Sequence, residues 1–425
     1  MAPYTFRLER ATSVVVTRSS SRSSRPINNP WYTVGSTMLL LPALLLVSAM
    51  CATTLGSPTP IVTPPPRRIA IIGEGVIGLS TATALLELAE EHKDVIAPFT
   101  IDIFSDQEWE HTLSRGIAGL FRIDQGTNIN RVYGNYTFNR MARLFRTIGG
   151  TSGVQLVSGH IISDNLRKLI KQEQSYGDIV YNFRYLEPRE IELQFQLDDY
   201  NVHAIHYTAY TSEGLRYCPY MKEQLLKDSR VTFHKRHIFN VDQLGNEGFD
   251  VVVNAGGLQG ANLAADGDEE KVFPIRGVLL KVDAPWQKHF LYRDFTTFTI
   301  PVIDAVYVGT VKEDNKAELN TSSTEIQSIF KRYLDVQPAM KDVQITNHFV
   351  GLRPGRESVR VERDARLRDD GSAYSVVHNY GHAGNGFTLG YGTSMHAAHL
   401  VFGLDTTEFD SAIERDGGAT VDRDH

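Results

Sequence analysis

Arg68-Ile69-Ala70-Ile71-Ile72-Gly73-Glu74-Gly75-Val76-Ile77-Gly78-Leu79-Ser80 is the stretch whose reading decides the fold. Its apolar half suits a strand buried on both faces, and it runs directly into Gly-x-Gly-x-x-Gly. The Ala/Leu-rich residues Thr81 to Ala89 then read as a helix. A strand, a glycine turn and a helix in that order form the context a dinucleotide-binding turn requires. Gly73 permits the tight turn, Gly75 lets backbone N–H groups approach a pyrophosphate, and Gly78 lets the helix pack close to the strand. Val76 and Ile77 lie at the helix N-terminus, where free N–H donors and the helix dipole favour phosphate charge. A second strand, Phe99-Thr100-Ile101-Asp102-Ile103-Phe104, ends just before Asp106, an acid placed to accept hydrogen bonds from a ribose. The expected class is α/β.

The 425 residues allow two or three domains. With 42% apolar and 22% charged residues the composition is that of a globular protein. A net charge of −7 gives no basis for binding nucleic acid. The two cysteines, Cys51 and Cys218, exclude a disulfide framework and a Cys-rich metal site. His378 and His382 flank Asn-Tyr-Gly, which suits a loop rather than a metal-binding helix face, so no metal is expected.

Residues 1–67 read as a targeting segment and linker. Residues 11–30 are rich in Ser and Arg and hold no acid, and Ser57 to Pro66 are rich in Pro and Thr. Between them lies an apolar run, Met38 to Ala52, interrupted by Pro42. It is short for a membrane span and suits a signal-peptide core. Entry to the secretory pathway is therefore expected, with a membrane anchor or an organellar transit peptide left open. The last residues, Val421-Asp422-Arg423-Asp424-His425, do not match a Ser-Lys-Leu type of peroxisomal address.

Beyond residue 67, strand-like runs occur at 69–72, 99–104, 249–254, 276–282, 298–309 and 373–379. Helical stretches are expected at 78–91, 134–147, 219–228, 322–334 and 386–403. The Val/Tyr/Phe-rich middle points to a β-rich second domain.

The run Val376-Val377-His378-Asn379-Tyr380-Gly381-His382-Ala383-Gly384-Asn385-Gly386-Phe387-Thr388-Leu389 is a second strand, Gly-rich loop and helix start. Together with the first glycines it resembles the C-terminal signature of the D-amino-acid oxidase family, which includes D-aspartate oxidase. The usual closing Gly-x-Ala is Gly392-Thr393-Ser394 here. Five further pieces follow in family order. Phe104-Ser105-Asp106 resembles the end of the second strand. Leu113-Ser114-Arg115-Gly116-Ile117-Ala118-Gly119-Leu120 resembles the flavin loop, with Arg115 and Gly116 departing from it. Asp250 to Gly257, Arg276 to Trp286 and Gly351-Leu352-Arg353-Pro354-Gly355-Arg356 complete the set.

The resemblance implies FAD, a Rossmann-like FAD-binding domain and a β-rich antiparallel substrate domain. The FAD-binding domain would be discontinuous, over 68–130, 205–275 and 345–405. The substrate domain would cover 131–204 and 276–344, and 406–425 would be a polar tail. The implied reaction is oxidative deamination of a D-amino acid by hydride transfer to flavin. Oxygen then reoxidises the flavin, giving hydrogen peroxide, and the imino acid hydrolyses to a 2-oxo acid and ammonia.

Arg353 would pair bidentately with the substrate α-carboxylate, a task suited to a planar guanidinium. The Gly384 carbonyl would accept from the substrate amine. Gly73, Gly75, Val76, Ile77, Gly78, Asp106, Ser114, Gly119, Leu120, Gly256, Gly381, Ala383, Gly384, Gly386, Phe387 and Thr388 would contact the cofactor. The family usually places a Tyr before an x-x-Pro near the carboxylate, but Thr297-Phe298-Thr299-Ile300-Pro301 puts Phe298 there. Arg293 or Arg122 would serve an acidic substrate, and Asp124 would oppose one. Neutral D-amino acids rank slightly ahead of acidic ones on this reading. A relative that has lost turnover and acts as a binding protein is the alternative class, and a homodimer is left open.

Overall fold

The computed structural model describes residues 65–195 and 202–418, so the targeting-type run and its membrane and secretory readings lie outside the described residues. From its first strand the chain runs β1 (Arg67–Ile72), α1 (Val76–Glu91), β2 (Phe99–Ser105), α2 (Asn128–Thr147), β3 (Val154–Ser163), α3 (Leu166–Tyr176), β4 (Tyr181–Tyr185), α4 (Pro188–Gln194) and β5 (His203–Ser212). It continues through α5 (Gly214–Leu225), β6 (Val231–Lys235), α6 (Val241–Asn246), β7 (Val251–Asn254), α7 (Gly260–Ala264), β8 (Phe273–Val282), β9 (Phe290–Arg293), β10 (Thr297–Pro301), β11 (Val306–Gly309) and β12 (Glu313–Asp314). The last part is α8 (Ser323–Leu334), β13 (Ile345–Gly355), β14 (Arg360–Leu367), β15 (Ala373–Tyr380), α9 (Gly386–Phe402) and α10 (Thr407–Gly418).

One sheet has the order β14-β15-β7-β1-β2-β6. All its pairs are parallel except β14 with β15. Parallel strands covered on both faces need near-continuous apolar runs, and Ile69, Ala70, Ile71, Val251, Val252 and Val253 are completely buried. Helix α9 packs against both α1 and α2. The approach to α2 is close: a Cβ on Gly392 would lie 2.2 Å from the Tyr133 carbonyl oxygen.

The other sheet has the order β12-β8-β11-β10-β9-β3-β5-β4, with β13 paired to β8. Its pairs are antiparallel except β3 with β9. Strand alternation gives its two faces different cores. Ile161, Tyr207, Tyr292 and Phe298 share the core of α1 and α9, whereas Ile162, Leu280, Leu291 and Val308 pack with Ile329 and Tyr333 of α8.

The structure departs from the sequence expectations at identifiable places. The run 298–309 is two strands, because Val302 turns back and donates its N–H to the Ala305 carbonyl at 2.8 Å. Strands β5 and β13, assigned above to the FAD-binding segments, hydrogen-bond into the second sheet. Helix α2, assigned to the substrate segment, packs on α9 and α10. The tail 406–425 contains α10, whose Phe409 and Ala412 are buried and whose Asp416 accepts from the Asn128 and Ile129 backbone. His378 sits in β15 rather than in a loop.

Arg276 ties the edge of the second sheet together. Its guanidinium pairs bidentately with Glu325 at 2.8 Å and 2.8 Å, and donates to the carbonyls of Glu318 and Asn320. Hydrogen bonding from Arg276 is the largest influence holding the Glu325 carboxyl down, at about 2. A depressed carboxylate contributes stability that is fully present above its unfolded value and fades as pH falls through the folded one. This contribution is therefore lost between about pH 4.5 and pH 2. Arg276→Ala is expected to lower stability by about 1.5–3 kcal/mol, as loss of hydrogen bonds to a charged group does. Chemical denaturation at pH 7 measures the effect, which should shrink as the pH approaches 3.

Candidate active site

The glycine turn between β1 and α1 is shaped by two hard constraints and one open space. Gly73 has φ +111°, and a Cβ there would lie 2.5 Å from the Ala255 carbonyl oxygen. A Cβ on Gly78 would lie 1.9 Å from the Gly73 carbonyl oxygen. A Cβ on Gly75 would meet only the Ser114 hydroxyl, at 3.2 Å. Protein packing thus demands glycine at 73 and 78. At 75 the missing side chain instead leaves a cradle of the kind a pyrophosphate fills. The N-cap residue of α1 is Gly75, which has no side chain to cap it, and the Val76 N–H donates instead to Ser114 Oγ at 3.0 Å. Ile77 follows within this first turn. Asp106, just past the C-terminal end of β2, is half-exposed and paired with His237. These residues fit a dinucleotide.

The loop after Ser114 is strapped to β5. Ser212 N–H donates to the Gly119 carbonyl at 3.0 Å, and Leu120 bridges to Thr211. Gly119 itself has φ +67° and no room for a Cβ beside the Ser212 carbonyl. On the other side of the turn, Gly256 N–H donates to Asn254 Oδ1 at 3.2 Å.

The β15–α9 turn closes the site. Gly381 and Ala383 both adopt positive φ, at +84° and +47°. His382 between them is buried and hydrogen-bonds Thr393 at 2.9 Å, and burial pushes it down to about 3, leaving it neutral. Gly386 and Phe387 start α9, and buried Thr388 lies 3.4 Å from the Arg122 backbone N–H. Gly384 lies between two charged side chains: its Cβ position is 3.2 Å from Asp124 Oδ2 and 3.9 Å from Arg353 Cδ.

Arg353 lies across β8, where a Cβ on Gly277 would be 2.4 Å from its Nη1. Among the described residues its guanidinium has no ion pair. Its neighbours differ: Arg356 pairs with Asp268 at 2.9 Å and Arg360 with Asp266 at 2.8 Å. Burial holds Arg353 below the usual guanidinium pKa, with Asp124 and Tyr292 opposing that shift. A partly buried, unpaired cation of this geometry accepts a carboxylate.

Arg122 is also drawn in. Its guanidinium pairs with Asp124 and packs over Tyr292 and Phe295, at 5.5 and 5.2 Å from the ring centroids. Burial disfavours its charge most, but Asp124 holds its pKa above the usual value. Asp124 is further fixed by Asn385, which donates to it at 3.1 Å.

Phe298 and Arg293 occupy opposite faces. Phe298 pairs across the hairpin with Tyr292, their rings stacked at 4.8 Å, and sits over Gly309. Arg293 is one residue out of phase: it pairs with Ile162 and Thr297, on the side of the α8 core, and its Nε contacts Asp294 at 3.1 Å. The structure therefore brings Arg122, and not Arg293, to the Arg353 side of the sheet. Sequence reading passed over Tyr292 and Asn385. The hairpin register would have found Tyr292, which lies six residues before Phe298 across a three-residue turn. Nothing local marks Asn385.

A family described as FAD-dependent oxidoreductases (DAO) matches residues 68–400. D-aspartate oxidase 1 of Caenorhabditis elegans is 47% identical over 336 residues, 79% of this chain and 96% of the relative. A D-amino acid oxidase of Dugesia ryukyuensis is 28% identical over 78% of this chain and 97% of the relative. Among solved structures, a glycine oxidase of Bacillus cereus superposes with a TM-score of 0.65 at 18% identity, covering 81% of this chain and 98% of that one.

Gly75→Val separates packing from binding. The added side chain meets only a flexible hydroxyl, so the fold should survive while the pyrophosphate cradle is filled. The expected product is folded, colourless protein with an unchanged circular dichroism spectrum. Full flavin absorbance in this variant would refute the cradle.

Proposed function

From the premise that this chain belongs to the D-amino-acid oxidase family of FAD-dependent oxidoreductases, we propose that its preferred substrates are acidic D-amino acids, D-aspartate above all. The chain catalyses FAD-dependent oxidation of D-amino acids. The observation that carries the substrate reading is the unpaired Arg353 guanidinium, with a second guanidinium, Arg122, on the same side of the sheet. The greater identity to a D-aspartate oxidase, 47% against 28% for a D-amino acid oxidase, supports it. This reverses the ranking drawn from the sequence, where Asp124 counted against an acid. Asp124 is already engaged by Arg122 and Asn385, so its charge is offset within the protein.

Bound FAD supplies the hydride acceptor, with dioxygen as the final oxidant. The chain's own residues do the positioning. Arg353 grips the α-carboxylate through its two-pronged guanidinium. The Gly384 carbonyl accepts from the amine and fixes a second substituent of the α-carbon. With the side chain placed as the third point, the substrate presents its α-hydrogen in one direction only. Arg122, packed under Tyr292 and Phe295, meets the side-chain carboxylate. No acid–base residue is required to touch the α-carbon for hydride transfer.

We also propose that the apolar run at 38–52 directs the chain into the secretory pathway. Expression of the full chain in a eukaryotic cell, followed by assay of the medium, tests this. Retention of all enzyme in the cytosol would contradict it.

Arg353→Leu should weaken oxidation of every D-amino acid while retaining FAD, at a cost of about 2–5 kcal/mol in kcat/KM. Near-normal turnover would contradict the carboxylate assignment. Arg122→Leu should reduce kcat/KM for D-aspartate by about thirtyfold or more, with D-alanine changed by only a few-fold. Equal losses on both substrates would remove Arg122 from substrate selection.

A further inference from the structure

The second sheet carries, on the face turned away from Tyr292 and Phe298, a pair of histidines that the oxidase reaction does not use. His160 of β3 and His206 of β5 stand directly opposite each other, in an antiparallel register without a shift. Side chains alternate along a strand. Their neighbours Ile161 and Ile205 enter the core shared with Tyr292 and Phe298, so both histidines project from the other side. The two imidazoles lie 5.0 Å apart, centroid to centroid, with 51° between their planes. Among the described residues neither Nδ1 has a hydrogen-bond partner, although both atoms are shut off from water. Buried polar atoms are nearly always paired, so two such orphans side by side call for an explanation, a bound ion among them. Neither histidine belongs to a metal-binding spacing motif, because only strand register joins them.

We propose that His160 and His206 bind a divalent transition-metal ion of the zinc class, which clamps β3 to β5. The spacing fits this use. Two imidazoles on one tetrahedral ion, with Zn–N bonds of about 2.0–2.1 Å, have their ring centroids about 5 Å apart. Water fills the remaining positions on the ion. Nitrogen donors select zinc, copper or nickel over calcium and magnesium, which take oxygen. Burial holds both imidazoles below the usual histidine pKa, His160 at about 4, and the neighbouring His289 and Arg184 act in the same direction while Glu190 opposes them. Both rings are therefore neutral at pH 7, the state in which an imidazole ligates a metal. Arg184, opposite His206 in β4, has its charge met by Glu190 at 2.8 and 2.7 Å. Phe195 closes edge-on over His160 at 5.6 Å, giving the pair an apolar cover. His289 is engaged elsewhere, its Nδ1 lying 2.9 Å from Ser158 Oγ. A second convergent group, Asp266, Asp364 and His378, is already filled by Arg360, which donates to Asp266 at 3.1 and 2.8 Å.

The test uses the tag-free holoenzyme, titrated with Zn2+ against a chromophoric chelator. One tightly held ion per chain is expected. The protein loaded with one equivalent of Cu2+ should show, by electron paramagnetic resonance, hyperfine splitting from two imidazole nitrogens. His160→Gln and His206→Gln should each weaken Zn2+ binding by at least about tenfold, since even an outer-shell partner of a metal is worth about 10–100-fold. His160→Cys supplies a thiolate in place of the imidazole and should keep tight binding. Zn2+ should raise the Tm of the wild type and of His160→Cys, and leave that of the two Gln variants unchanged. A role in packing alone would alter Tm without any dependence on Zn2+. Oxidation of D-amino acids in the presence of the chelator should be the same in all four proteins, because the pair lies on the face away from Tyr292. If the Gln variants lose their flavin through misfolding, the wild-type copper spectrum and the Cys variant decide the question. A wild type that binds no Zn2+, equal affinity in the Gln variants, or a copper spectrum without nitrogen splitting would overturn the proposal.

Discussion

Among the described residues, Arg353 keeps a partly buried guanidinium without giving it a carboxylate, whereas the neighbouring Arg356, Arg360 and Arg366 are each paired. Withdrawing a charge from water costs several kcal/mol unless a partner repays it. Arg356, Arg360 and Arg366 find their partners in Asp268, Asp266 and Asp242. Arg353 instead lies flat over a glycine, with Asp124 nearby but committed to Arg122 and Asn385. On the proposed function, the cost is carried by the fold and recovered when a substrate carboxylate arrives, which would make charge complementarity the organising constraint of the site.

The two sheets exist in a relation that serves this constraint. The parallel sheet ends in two glycine turns, one before α1 and one before α9, and both leave backbone room instead of side chains. The second sheet brings up a wall of Tyr292, Phe298 and Phe349 with the cation at its edge. Gly384 is the point of contact, since its missing side chain would otherwise intrude between Asp124 and Arg353. Cofactor chemistry and substrate grip thus come from different layers, and the loop at 113–124, tied to β5, spans both.

What the sequence disclosed follows from how local each signal is. The strand, turn and helix at 67–91 depend on neighbours within a few residues, and their pattern was legible. Arg353 stood out in the sequence through its Gly-Leu-Arg-Pro setting, and the structure places it beside the β15–α9 turn. Arg293 looked equivalent to any other arginine near the substrate loop, because a one-residue difference in strand phase cannot be seen without the register. Tyr292 was missed for the same reason. The split of 298–309 was hidden by Val and Ile on both sides of the turn. Helix α10 was hidden by its polar composition, since Phe409 and Ala412 alone carry its burial. The pairing of Asp124 with Asn385 spans 261 positions and leaves no trace in either segment.

The account stands most directly on the anaerobic reaction of the wild-type holoenzyme. Under nitrogen, each of D-aspartate, L-aspartate and D-alanine is titrated while the flavin absorbance band is followed. The account predicts that D-aspartate bleaches the band at the lowest concentration, that D-alanine needs considerably more, and that L-aspartate leaves it intact. A band bleached more readily by D-alanine, or unchanged by every D-amino acid, would contradict it.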